Sequence, residues 1–87
     1  DNKKVLKLLD EIIADKEFYW LGRNAAVDSY IRLGAEKKDI EALLKKSYKG
    51  VTQQSEGVDK FVVKKLEEKI AKWDEEMKRY GRDKKEK

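Results

Sequence analysis

Between Ala42 and Ser55 the chain carries no Asp or Glu, and Lys45, Lys46 and Lys49 stand there among Ser47, Tyr48, Thr52, Gln53 and Gln54. Ammonium groups beside hydroxyl and amide donors suit phosphate oxygens, whereas the Arg fork that best reads guanine edges is missing from the array. The pattern points to contact with a nucleic-acid backbone without choice of sequence. Lysines in the last turn of a helix also complement its macrodipole, a structural use that spacing alone does not separate from phosphate binding. A second basic strip, Lys64, Lys65, Lys69 and Lys72, is interleaved with Glu67, Glu68, Asp74, Glu75 and Glu76. By itself that strip reads as a solvated face laced with i,i+4 pairs. Tyr48 has the ring to stack on an unpaired base, though a lone tyrosine on a small domain more often lies half buried. The candidate phosphate contacts are thus Lys45, Lys46, Lys49, Lys64, Lys65 and Lys72, with Gln53 and Gln54 beside them.

Catalysis finds no support. Cys and His are both absent, which excludes disulfides, thiol nucleophiles, zinc sites built on those ligands and a histidine general base. Glu67 with Glu68 and Glu75 with Glu76 are neighbours on helical stretches, where nothing suggests the desolvation that makes a general acid. "LGRNAA" holds one glycine and no phosphate-loop pattern. We expect no enzyme, no metal and no cofactor. Charge is distributed unevenly: residues 1–20 hold four Lys or Arg against five acids, residues 21–50 seven against four, and residues 51–87 eleven against nine. The cationic excess sits in the middle of the chain, next to the acid-free stretch.

These residues must be carried by helices. Of the 87 residues, 46% are charged and 39% hydrophobic, with no proline and five glycines, a composition that suits surface-rich helices better than a sheet. We expect an all-α chain with one small domain and a short arm. No run of about 18 apolar residues exists to span a membrane. The chain begins at Asp1 rather than Met and reads as a soluble piece of a longer one. Val5, Leu8 or Leu9, Ile12 and Ile13 recur at helical spacing and look like the end of a helix that started upstream. A second helix is expected from Glu17 to Leu33, bent near Gly22 and closed by Gly34, and a third from Ala35 to Gly50. A polar connection, "VTQQSEG", precedes a last helix expected to run unbroken from Val58 to Gly81. "RDKKEK" then reads as a flexible, solvated basic tail.

The last helix carries the sharpest geometric signal. Val63, Leu66, Ile70, Trp73, Met77 and Tyr80 are spaced 3, 4, 3, 4, 3, a heptad seam. Some 24 residues at about 1.5 Å each make a rod of roughly 36 Å, longer than the shorter helices can cover. Phe61, Val62, Leu66 and Ile70 are expected to pack on Leu33, Ile40, Leu43 and Leu44, leaving Trp73, Met77 and Tyr80 overhanging. The same spacing also fits an ordinary core face, and an exposed stripe of that composition is a candidate self-association surface. A separate puzzle is the run Phe18, Tyr19, Trp20: consecutive helical positions diverge by about 100°, so one core face cannot take all three. A two-fold dimer in which the stripe meets its own copy or these aromatics would bury both, with Ile70, Trp73, Met77, Tyr80 and Trp20 as interface residues.

The stretch "EFYWLGRNAAVDSYIRLGAEKKDIEALLKKSYKGVTQQSEGVDKFVVKKLEEKIAKWDEEMKRYG" resembles the C-terminal functional domain of the early protein 16.7 family of phi29-type Bacillus phages, membrane-associated organisers of phage DNA replication. The resemblance covers about residues 17–81, and "KKVLKLLDEIIADK" would correspond to the end of the family's coiled coil. It implies a domain organisation of coiled-coil arm 1–16, helical DNA-binding and dimerisation domain 17–81 and tail 82–87. It implies a dimer of three-helix units, distantly homeodomain-like, that binds single- and double-stranded DNA without sequence preference and assembles side by side into higher oligomers. It further implies association with the terminal protein on phage DNA ends, and a place at the cytoplasmic face of the host membrane through an anchor that this chain lacks. The family's dimer contact includes a last-helix tryptophan, which matches Trp73. Two other readings stand beside it. A coiled-coil protein adaptor would explain the heptads but not the acid-free segment, and a helix-turn-helix regulator would need Asn, Gln or Arg on residues 36–49, which offer lysines instead.

Overall fold

The computed structural model describes residues 2–50 and 59–83, with side chains placed for 2–46 and 60–83. All regular structure among them is helical: α1 (Asn2–Ala14), α2 (Trp20–Leu33), α3 (Lys37–Gly50), α4 (Asp59–Ala71) and α5 (Trp73–Arg79). The all-α expectation holds.

α1 places Leu6, Leu9, Ile12 and Ile13 inward at helical spacing, and Ile13 is fully buried in the common core. Its N-terminal half leaves Val5 and Leu8 exposed at 40% and 56%. The turn after α1 is built by Asp15, whose Oδ1 accepts from the Glu17 backbone N–H at 2.9 Å, the local bonding for which Asp is favoured in turns. Two long-range bonds fasten α1 to α2. The Arg23 guanidinium, only 1% exposed, donates from Nε to the Ile13 carbonyl at 2.9 Å, and the Tyr30 hydroxyl donates to Asp10 Oδ2 at 2.9 Å. The last turns of α1 therefore share one core with the segments that follow residue 16.

α2 starts at Trp20, three residues later than the sequence suggested, and stops at Gly34. There φ is +132°, and the Ala35 N–H bonds the Tyr30 carbonyl at 3.0 Å in the manner of a Schellman close. α3 opens with Asp39 Oδ2 accepting the Glu36 N–H at 2.8 Å, half of a capping box. The core is Ile13, Ala26, Val27, Tyr30, Ile31, Ala35, Ile40, Leu43, Val62 and Leu66, drawn from α1 to α4 and the α2–α3 connection. Each fully buried aliphatic side chain in it is stabilising by about 1.5–3 kcal/mol relative to exposure.

Two expectations fail here. Phe61 does not enter the core: it is 42% exposed and stacks on Trp20 at 4.7 Å between ring centroids, because Val62 and Val63 occupy the inward positions beside it. The last helix is not a single rod either. It breaks at Lys72 (φ −111°, ψ 30°), while Lys72 N–H still bonds Glu68 O at 3.0 Å and Glu76 N–H bonds Lys72 O at 2.9 Å. A one-residue bend that keeps both bonds leaves no mark on the heptad spacing. Its result is that Trp73, Met77 and Tyr80 lie half buried against the core instead of overhanging it.

Candidate nucleic-acid and self-association interface

α3 buries Ile40 and Leu43 and keeps Lys37, Lys38, Glu41, Ala42, Lys45 and Lys46 exposed. Between this face and the end of α4 runs an open groove of about 500 Å³, lined by Lys38, Glu41, Ala42, Leu44, Lys45 and Ile70. It shares Ile70 with a cleft at the α4–α5 break, whose walls include Lys37, Lys72 and Trp73. Trp73 and Met77 continue into a third depression beside Lys78 and Arg82. Ile70, Trp73 and Met77 thus form an apolar floor with a mixed but mainly cationic edge, where Lys37, Lys38, Lys45, Lys72, Lys78 and Arg82 stand among Glu41, Asp74, Glu75 and Asp83. Cations and the proposed self-association residues occupy one surface.

The sequence-derived lysines divide into three groups. Lys45 and Lys72 are exposed on this rim, and Lys64 is exposed on α4. Lys46 stands 3.5 Å from Asp10 Oδ1, and half-buried Lys65 stands 3.1 Å from Asp28 Oδ2, so each already has a carboxylate partner and offers less to a phosphate. The side chain of Lys49, together with Gln53 and Gln54, lies outside the described residues. Of the interface residues, Ile70, Trp73, Met77 and Tyr80 are half buried on the core. Trp20 has an intrachain partner in Phe61, which accounts for one of the three consecutive aromatics, while Phe18 and Tyr19 remain 42% and 66% exposed. Phe18 lies across Gly22, where an added Cβ would come within 2.7 Å of its ring.

Sequence reasoning passed over Lys37 and Lys38. A signal was present: both sit in the first turn of α3, where a helix favours anions and a cation opposes the macrodipole. Cations at an unfavourable place in a helix call for some use other than helix stability.

The second lysine strip has a different fate. Lys69 is 6% exposed, and its Nζ lies 2.9 Å from both Asp28 Oδ1 and Glu76 Oε1, joining α2, α4 and α5. Burial pushes the Asp28 carboxyl up, but the hydrogen bonds and charges of Lys69 and Lys65 outweigh it and hold the group below its ordinary range. Burial likewise disfavours the Lys69 ammonium, and Asp28 and Glu76 more than compensate, so it titrates above an ordinary lysine. The Tyr30 hydroxyl is pushed up by burial and then by its bond to Asp10, and remains a neutral donor.

Among the described residues, no group of three or more metal-ligating side chains is placed to hold a metal, and no helix is long and apolar enough to cross a membrane. Compared with known protein families, with curated proteins and with solved structures, the chain matches none of them.

Proposed function

We propose that the chain is a sequence-independent DNA-binding homodimer, able to take single- and double-stranded DNA, whose role is to organise phage DNA replication. The observation that supports this reading is the joint surface just described: an apolar floor of Ile70, Trp73 and Met77 whose edge holds more cations, Lys37, Lys38, Lys45, Lys72, Lys78 and Arg82, than acids, Glu41, Asp74, Glu75 and Asp83. A two-fold contact across the floor would bring the cations of both copies to one rim, and non-specific phosphate attraction grows with the number of charges neutralised. The one Arg on that surface among the described residues, Arg82, already donates to the Ile31, Gly34 and Ala35 carbonyls, and the remaining cations are lysines, which agrees with backbone contact rather than base reading. The likeness of residues 17–81 to the replication-organiser family supports the same conclusion. It also supplies the wider proposals: higher oligomers built from dimers, association with the terminal protein, and a membrane location in a full-length form.

A salt titration against two unrelated oligonucleotides tests the core of this reading. With three or four cations engaged per subunit, log affinity against log salt on duplex DNA has a slope of roughly −5 to −7, nearly the same for both sequences. A flat response, or strong preference for one duplex, overturns it. A helical coiled-coil adaptor without nucleic-acid binding is the second reading, favoured by exposed Val5 and Leu8 on α1, which with Ile12 follow a 3, 4 spacing. Self-association in the absence of any DNA affinity would select it.

A further inference from the structure

α5 has seven residues, too few to hold a helix in isolation. The backbone bonds across Lys72 continue the α4 pattern, and the seam from Val63 to Tyr80 would be uninterrupted in a straight rod. A straight α4–α5 helix is therefore an accessible alternative. Something must hold the bend.

Part of the hold is internal, through Lys69 and Glu76. The rest lies past the end of the helix. At Gly81 φ is +69°, and the Arg82 N–H bonds the Met77 carbonyl at 2.7 Å, which reverses the chain. The reversal aims the Arg82 side chain at the end of α2. Its Nη1 donates to Ile31 O and Ala35 O at 2.7 Å each, and Nη2 donates to Gly34 O at 3.3 Å. Glu36 Oε2 adds an ion pair at 3.7 Å. These carbonyls belong to the last turn of α2, its cap and the connection just after it, next to the negative end of the α2 dipole, and a planar fork with two donor nitrogens suits three acceptors so spread better than a point-charge ammonium.

We infer that Arg82 is a positioning residue: it latches α5 to the α2–α3 corner and so fixes Trp73, Met77 and Tyr80 in the arrangement that self-association requires. Residue 82 accordingly belongs to the folded unit rather than to a flexible tail. The inference rests on the self-association reading above. It goes further by assigning the geometry of that surface to a residue that is not part of its apolar floor.

The test combines hydrogen exchange of the α5 amides with sedimentation equilibrium on the whole chain, for the wild type, Arg82→Ala, Arg82→Lys and the control Arg79→Ala. Arg79 serves as the control because it is a cation on the same helix that is exposed and makes only a long ion pair, 3.9 Å, with Glu76. Arg82→Ala is expected to speed exchange in α5 at least tenfold and to weaken self-association at least tenfold, while amides of Val27 and Leu43 exchange as before. Arg82→Lys should fail to rescue either property. Unchanged α5 exchange in Arg82→Ala overturns the latch, and faster exchange with an unaltered association constant overturns the positioning role. A wild type that stays monomeric at every concentration instead overturns the self-association reading, and the exchange rates still decide the latch.

Discussion

Two groups of lysines in this molecule have opposite fates. Lys65 and Lys69 are drawn into carboxylates of α2 and α5, whereas Lys45 and Lys72 stand on an exposed rim beside Ile70 and Trp73. Lys65 and Lys69 lie on α4, Lys45 on α3 at the edge of the acid-free run, and Lys72 at the break between α4 and α5. What separates them is which helix face turns toward a neighbour. A lysine facing inward must be matched by carboxylates, here half-exposed Asp28 and buried Glu76, because an unpaired charge is strongly disfavoured there. One facing outward keeps its charge available to a diffusing partner. Formal charge along a sequence therefore overstates the cations on offer: setting aside Lys46, Lys65 and Lys69, which stand beside carboxylates, leaves Lys45 of the acid-free run and Lys72 at the groove between α3 and the α4–α5 break.

The largest effect should come from the apolar floor. Trp73→Ala removes an aromatic anchor worth about 2 kcal/mol or more at an interface, and two-fold symmetry removes it twice. A combined loss of about 4 kcal/mol weakens a dimer nearly a thousandfold. Sedimentation should then show a monomer, with DNA affinity reduced. A variant that remains folded and fully dimeric would place Trp73 in the core alone, and the rim would lose its reason to be a rim.

The inward group is tested next through stability. Lys69→Met leaves Glu76, which is 5% exposed, without its closest cation, and breaking a buried pair from one side costs about 3 kcal/mol. Lys45→Met, on the rim, should stay within about 0.5 kcal/mol of the wild type. Urea denaturation of the two variants measures the difference directly. Equal midpoints would erase the distinction between inward and outward lysines.

Binding sharpens the outward group. Replacing Lys45 and Lys72 with Ala removes four cations from a dimer, and if each neutralises one phosphate the salt slope becomes shallower by about 3 to 4. The same pair of changes at Lys84 and Lys85 should leave the slope nearly as it was. A greater loss from the tail variants than from the rim variants would relocate the site.

The smallest effect concerns pH. Asp28 has a folded-state pKa below its ordinary value of 3.8, so its contribution is present above that value and is lost as pH falls through the lower, folded-state value. Thermal unfolding should show little change from this group between pH 7 and 5, and a decline below about pH 4 that is shallower in Asp28→Asn. An identical acid decline in both proteins would mean that Lys65 and Lys69 do not hold the Asp28 charge in the folded state.

Much of the helical layout was legible in the sequence. Helical spacing marked Ile12 and Ile13 of α1, Ile40 and Leu43 of α3, and Val62 and Leu66 of α4 as inward, and Gly34 and Gly81 marked helix ends because each takes a positive φ that a glycine adopts without strain. The acid-free run led to Lys45, and the heptad seam to Ile70, Trp73 and Met77. Less was legible where a residue's partner lies far along the chain. Nothing near Arg23 indicates the Ile13 carbonyl ten positions away, and nothing near Arg82 indicates carbonyls 47 to 51 positions away. Phe61, adjacent to the valines that displace it from the core, could be assigned only once α4 was set against α2.

The sequence by itself determined that this chain is helical, that it holds no thiol or imidazole chemistry, and where most of its helices end, because propensity, periodicity and glycine conformation are local properties. The tertiary structure alone decided which lysines are neutralised and which are presented, and whether the last helix bends. Those outcomes depend on burial and on charges brought together from distant positions. A side chain's electrostatic fate is set by its neighbours in space, and at Lys69 those neighbours are Asp28 and Glu76, one of them 41 positions away along the chain.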